Sequence, residues 1–365
     1  MELKKEILLF INSLQGGGSE RVCTTIANSL ANNGFNVNLL VLHSKNAIFE
    51  KELDDRVILT SLNKPHTREA IIAIAKYLLD KKPKKILVFN YQLAIILVIL
   101  KKILFLDYYI ISRNINVLSK LVENEKSFWH KYIVDFLTKL FYRKSDKFIA
   151  QSNGMKEDLI KAYGVNKDKI IVINNPVSNK LESLAKSINF ENITKKHELL
   201  FIGALEKRKG LNYLLESFRI ISDRDKKIIL RIIGKGTLKN QLLQKIKELE
   251  IEKQIVFEDF QEDISKYILQ SKATLLTSLH EGFPNVLVES ITLGTPIVSF
   301  DCPSGPSEII ENGENGYLVE YLNSQKFANA ILNVINDKFN YKKVAKSAEK
   351  FYNDKIISKY IKILE

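Results

Sequence analysis

The first forty residues restrict the fold more than any other part of the chain. EILLFINSL at 6–14 is an apolar run suited to a buried strand. QGGGSERV follows at 15–22, and the helical pattern TTIANSLANNG stops at Gly34. NVNLLVL at 36–42 is the next strand. Strand, glycine loop, helix, strand is the opening of a doubly wound α/β domain, because parallel neighbours need a helical crossover. The opening run is too short for a targeting segment and reads as a first strand.

The pattern then recurs. ILVFN (86–90), YYIIS (108–112), KFIAQS (147–152) and IIVINNPV (170–177) read as further strands of the first half. Residues 178–197 are polar with weak periodicity and read as a linker. ELLFIGAL (198–205), IILRIIGKG (228–236), QIVFEDF (254–260), ATLLTS (273–278), PIVSF (296–300) and NGYLV (315–319) make a second run. The expectation is α/β, with two Rossmann-like doubly wound domains over 1–180 and 198–340, facing across a cleft. The stretch 341–365 reads as a helix packing back on the first domain. Ligand sites in such sheets lie beyond the carboxyl ends of the strands.

Composition narrows the partners. The chain carries 55 Lys and Arg against 42 Asp and Glu, a formal charge of +13. That favours an anionic partner: nucleic acid, an anionic membrane face or a phosphorylated small molecule. No helix-turn-helix, zinc-finger or RRM signature is present, so no nucleic acid is expected. Cys23 and Cys302 offer neither a metal-ligand spacing nor a disulfide framework, which points to a reducing cytosol. The apolar stretch LAIILVILKKILFL (93–106) is broken by Lys101 and Lys102 short of a spanning length. Residues 117–147 mix Phe128, Trp129, Tyr132, Phe136, Leu140 and Phe141 with many lysines. They read either as a helix resting in a headgroup layer or as an ordinary helix with a solvated basic edge.

Three segments carry candidate chemistry. Gly16, Gly17 and Gly18 sit between a strand and a helix, where backbone can approach an anion closely, although a tight turn accounts for them equally well. GALEKRKG (203–210) clusters Lys207, Arg208 and Lys209 at a strand end, a charge pattern suited to a diphosphate. HEGFPNVLVES (280–290) places Pro284 in the first turn of a helix, so that the amides of Asn285, Val286 and Leu287 form a second anion site. Glu281 and Glu289 flank that helix end, and a carboxylate accepts two hydrogen bonds from a vicinal diol. No DxD pair flanked by apolar strand residues is present, and Asp54-Asp55 reads as a solvated turn, so no metal is expected.

GGGSERV, GALEKRKG, HEGFPNVLVES, GTPIVSF and SGPSEIIENGENGYLV, in this order, resemble the family 4 retaining glycosyltransferases of the GT-B fold. SGPSEII (304–310) is similar to bacterial enzymes of capsule, O-antigen or lipid-linked oligosaccharide synthesis. The resemblance implies a hexose or N-acetylhexosamine moved from a nucleotide sugar, UDP-linked, to a lipid-linked glycan, with no cofactor and no metal. It implies catalytic roles for Glu281 on the donor sugar and Lys209 on the diphosphate, with Asn114 of the first domain as the third catalytic candidate. Glu289 would hold the ribose, and Phe283, Pro284, Asn285, Val286 and Leu287 would wrap the sugar and diphosphate. Gly17 and Gly18 would admit the donor, and strand-end residues near Phe257–Phe260 would hold the base. It also implies a cytoplasmic protein, peripheral at an anionic inner membrane face.

Two positions depart from the family pattern. Ala204 stands where members commonly carry Arg, leaving Arg208 or Lys207 to substitute. ISRNIN (111–116) offers Arg113 and Asn114 where many members carry a histidine. Asn114 cannot serve as a general base near neutral pH, which fits a front-face reaction where the leaving phosphate takes the acceptor proton. A nucleotide-sugar epimerase and a non-catalytic nucleotide-sugar-binding assembly protein are the alternative functions.

Overall fold

The computed structural model describes residues 5–123, 134–337 and 339–365. These fall into two compact units, one of residues 1–178 with 353–365 and the other of residues 179–352.

The first unit holds seven parallel strands: β1 (Glu6–Ile11), β2 (Asn36–Val41), β3 (Ile58–Ser61), β4 (Lys85–Val88), β5 (Tyr109–Arg113), β6 (Lys147–Ala150) and β7 (Ile170–Val172). Their order is β3-β2-β1-β4-β5-β6-β7. Leu8 and Phe10 of β1 face one core and Ile7, Leu9 and Ile11 face the other. Both faces are covered, which is why the strand reads as unbroken apolar sequence. The last helix, Asn353–Leu364, buries Ile356, Ile357, Tyr360 and Leu364 in this unit's second core.

The second unit holds β8 (Glu198–Ile202), β9 (Ile229–Ile233), β10 (Ile255–Glu258), β11 (Ala273–Leu276), β12 (Ile297–Phe300) and β13 (Gly316–Val319), all parallel. Their order is β10-β9-β8-β11-β12-β13. Strand order therefore reverses between β8 and β11, and between β1 and β4 in the first unit. Loops leaving the carboxyl ends of strands at such a reversal diverge and leave a crevice.

The structure corrects three sequence readings. The expected linker contains a helix, Asn179–Ser187, whose buried side chains are only Leu181, Glu182 and Ala185. β3 was missed, because a four-residue edge strand with Ile58 53% exposed carries no buried apolar signature. The stretch from 341 is broken: Tyr341–Ser347 and the turn Ala348–Phe351 belong to the second unit, and only the helix from Asn353 joins the first. The apolar stretch from 93 lies in a helix, Tyr91–Ile103, whose buried residues include Leu93, Leu97 and Leu100. No described helix is long and apolar enough to cross a membrane.

Candidate active site

In the second unit, the loops that follow β8 and β11 lie side by side because their strands are neighbours at the reversal. Lys207–Lys209 form one tight turn, ended by Gly210 at φ 59°. A Cβ on Gly210 would stand 2.0 Å from the Thr277 carbonyl oxygen, so only glycine permits this approach. The Leu279 amide donates to the Arg208 carbonyl at 2.7 Å, and the Thr277 hydroxyl donates to the Lys209 carbonyl at 3.0 Å. These bonds fix the backbone that carries Lys209 against the backbone that carries Glu281.

The two side chains meet. Lys209 Nζ lies 2.5 Å from Glu281 Oε1, and both residues are buried, at 7% and 8% exposure. The Ser278 hydroxyl donates to the same oxygen at 2.6 Å, and Arg208 Nη1 stands 3.7 Å from Oε2. Burial alone would raise the Glu281 pKa, but the Lys209 and Arg208 charges and the two hydrogen bonds outweigh it and hold the carboxyl below its usual range. Glu281 is therefore an anion at neutral pH that keeps acceptor capacity on Oε2. Behind it, burial and then the Glu281 charge push the Cys302 thiol up to about 12.

Beyond Glu281 the chain enters the helix Asn285–Thr292. Pro284 stands one residue before the helix rather than in its first turn. Phe283 is buried and packs edge-on against Phe351 with ring centroids 5.5 Å apart. Asn285 and Val286 are half-buried at the helix start. Leu287 is corrected: its amide donates to the Pro284 carbonyl at 3.0 Å and its side chain is fully buried. Glu289 is half-buried one turn into the helix. A third loop braces this turn. The Ser304 hydroxyl donates to the Gly282 carbonyl at 2.9 Å, and a Cβ on Gly305, at φ 97°, would sit 2.6 Å from Pro284 Cδ.

Gly17, Gly18 and Asn114 belong to the first unit. Gly17 is the exposed residue before the helix Gly18–Asn32, and the Glu20 carboxylate lies over it, 2.3 Å from where a Cβ would be. The first-turn position of Glu20 complements the helix dipole. Asn114 is 1% exposed; its Oδ1 accepts from the Tyr142 hydroxyl at 3.3 Å and its carbonyl accepts from Gln151 Nε2 at 2.7 Å. Arg113 is equally buried and donates from Nε to the Tyr360 hydroxyl at 2.8 Å and from Nη2 to Asn175 Oδ1 at 2.5 Å. Its guanidinium carbon lies 5.2 Å from the centre of the Phe89 ring.

Sequence reasoning placed Lys209 and Glu281 in one site but not on each other. Thr277, Ser278, Cys302 and Ser304 were not assigned to the site from sequence. The available signal was a hydroxyl residue, Ser278, three positions before Glu281 in the loop that leaves β11.

Two family models match the chain: Glycosyltransferase Family 4 over residues 16–180 and Glycosyl transferases group 1 over residues 184–351. A Haemophilus influenzae protein described as an uncharacterized glycosyltransferase is 27% identical over 98% of each chain. A Campylobacter jejuni protein, N-acetylgalactosamine-N,N'-diacetylbacillosaminyl-diphospho-undecaprenol 4-alpha-N-acetylgalactosaminyltransferase, is 28% identical over 94% of this chain and 95% of its own. The fold is also that of Anabaena HepE, solved in complex with UDP-glucose, with a TM-score of 0.78 and 19% identity over 98% of this chain and 99% of that one.

Proposed function

We propose that this chain, which belongs to the family 4 glycosyltransferases of the GT-B fold, moves a hexose or N-acetylhexosamine from a UDP-sugar to a lipid-linked glycan with retention of anomeric configuration. The observation that carries this reading is the buried Lys209–Glu281 pair at the β8/β11 reversal, next to the start of the helix Asn285–Thr292. The C. jejuni relative is named for a lipid-diphosphate glycan acceptor and the HepE structure holds UDP-glucose, which supports the donor and acceptor classes.

In this reading Glu281 accepts hydrogen bonds from donor-sugar hydroxyls. Lys209, with Arg208 beside it, stabilises the charge that develops on the departing diphosphate. The amides of Asn285 and Val286 add the positive end of a helix dipole, and Glu289 accepts from the ribose diol. The acceptor hydroxyl oxygen bonds to the anomeric carbon on the face the diphosphate leaves. Its proton passes to the leaving phosphate oxygen, and UDP is released. No side-chain base is required, which suits a chain that carries Asn114 at the position where many family members carry a histidine. Charge stabilisation by Lys209, Arg208 and the helix end serves the role a metal would otherwise fill. With its acceptor carried on lipid, the protein works at the cytoplasmic face of a membrane, in surface-polysaccharide synthesis.

The test is UDP release and product analysis with purified chain, a panel of UDP-sugars and a polyprenyl-diphosphate glycan, with chelator present throughout. Turnover giving an α-linked product from an α-linked donor is expected. An inverted product, or no turnover with any UDP-sugar, would overturn the reading.

A further inference from the structure

Residues 320–323 close a tight turn at the carboxyl end of β13, where the Asn323 amide donates to the Glu320 carbonyl at 3.3 Å. When the third residue of such a turn takes left-handed backbone, it is normally glycine or asparagine. Here it is Leu322, at φ 60° and 37% exposed. A bulky residue at positive φ is strained, and such strain persists only where surrounding contacts fix it. On one side the turn is fixed by the helix Ser324–Asn336, whose Lys326 amide donates to Asn323 Oδ1 at 2.9 Å. On the other side it is fixed by Tyr321.

Tyr321 is the second residue of the turn, and it reaches across a neighbouring strand. β12 lies between β13 and β11 in the sheet. The Tyr321 ring stands edge-on to Phe300, the last residue of β12, with centroids 6.4 Å apart, and its hydroxyl donates to the Leu279 carbonyl in the loop after β11 at 2.9 Å. Phe300 is fully buried and makes edge-on contacts with Tyr213 and Phe327, at 5.8 and 4.8 Å, so the ring under Tyr321 is itself held on both flanks.

Residue 279 is therefore gripped from two directions. Its amide donates to the Arg208 carbonyl in the loop after β8, and its carbonyl accepts from Tyr321 in the loop after β13. Two positions earlier, Thr277 is tied to the Lys209 carbonyl; two positions later stands Glu281. Lys209 and Arg208 draw Glu281 toward the β8 turn. Tyr321 restrains the same loop from the far side of β12, so the position of the carboxylate is set by opposed contacts rather than by the ion pair alone.

We propose that Tyr321 is a positioning residue for sugar transfer: its hydroxyl, delivered by the strained turn across Phe300, fixes the loop at Leu279 and through it the place of Glu281. A displacement of about 1 Å can cost roughly 100-fold in rate even when its cause lies away from the chemistry, so one hydrogen bond on this loop matters to a reaction it does not touch. The inference deepens the reading of Glu281 as the contact for donor-sugar hydroxyls and rests on it.

Tyr321→Phe keeps the ring on Phe300 and removes only the hydroxyl. Hydrogen–deuterium exchange with mass spectrometry on the full chain, without substrates, should show peptides covering residues 277–283 exchanging about tenfold faster in the variant, the factor set by one hydrogen bond of average strength. Peptides from β8 and β12 should keep native exchange. In UDP-release assays kcat should fall about tenfold while KM for the UDP-sugar changes less than about twofold, because the helix end and Lys209 still bind the donor. Native-like exchange in residues 277–283, or faster exchange with native kcat, would overturn the proposal. A raised KM at unchanged kcat would overturn it as well, since Tyr321 would then serve donor binding and not Glu281. A native chain that turns over no UDP-sugar would instead overturn the proposed transfer, and the exchange result would decide the Tyr321 clamp by itself.

Discussion

Lys209 Nζ and Glu281 Oε1 lie 2.5 Å apart although their positions are separated by 72 residues in the chain. The two belong to loops after neighbouring strands, and each is the other's principal counter-ion in a place that excludes most water. A buried pair of this kind is costly to break from one side, because the remaining charge is left without compensation.

Glu281→Gln should therefore act on both activity and stability. Sugar transfer is expected to fall about 100-fold or more, with stability lowered by about 3 kcal/mol. Adding Lys209→Met to it should recover part of the stability and none of the activity. Urea denaturation and UDP-release assays on both single variants and the pair separate the two effects. Additive stability losses would show that the pair is not coupled.

Gly210 and Gly34 form a contrast. Both have positive φ, 59° and 83°. A Cβ on Gly210 would collide with the Thr277 carbonyl, while one on Gly34 would meet nothing within 4 Å. Gly34→Ala should cost only about 1 kcal/mol of backbone strain. Gly210→Ala should cost more than twice that and also lower activity, since it separates the strands' loops that carry Lys209 and Glu281. Denaturation midpoints of the two variants check the order.

Tyr360 ties the last helix to the first unit through Arg113. Phe in its place keeps the packing but leaves the buried Arg113 Nε without its acceptor, at a cost of about 1–3 kcal/mol. Deleting residues 353–365 removes Ile356, Ile357 and Leu364 from the core as well and should leave the first unit unable to fold stably. Solubility and circular dichroism of the truncated chain measure this.

Lys195 supplies a pH dependence. Its Nζ donates to the Thr295 hydroxyl at 2.6 Å and faces the Tyr341 ring at 5.0 Å, and among the described residues no carboxylate forms an ion pair with it. Burial lowers its pKa from 10.5 to about 7. The unfolded chain keeps this proton to a much higher pH than the folded chain does. Between those values the unfolded state binds more protons, so stability rises with pH, by at most about 1.4 kcal/mol per pH unit. Below pH 7 both states hold the proton and the contribution is flat. Lys195→Met should be more stable than the native chain at pH 7, with the rise toward pH 10 removed. An unchanged slope in urea titrations across this range would contradict the assignment.

The alternation of buried strands and helices was legible in the sequence because strands covered on both faces must be apolar throughout, as Ile7 to Ile11 are. Whatever lacked that burial was hidden: β3 at a sheet edge, and the helix Asn179–Ser187 with its few inward side chains. Lys209 and Glu281 stood out as candidates because strand-end loops are short and their charged residues are conspicuous, and Glu289 because it follows one turn into the next helix. Their mutual geometry did not. Strand order decides which loops become neighbours, and order is set by the packing of crossovers on a sheet rather than by any local pattern of residues. For the same reason, only the tertiary structure joined Arg113 to Tyr360 and placed Lys102 beside Lys144.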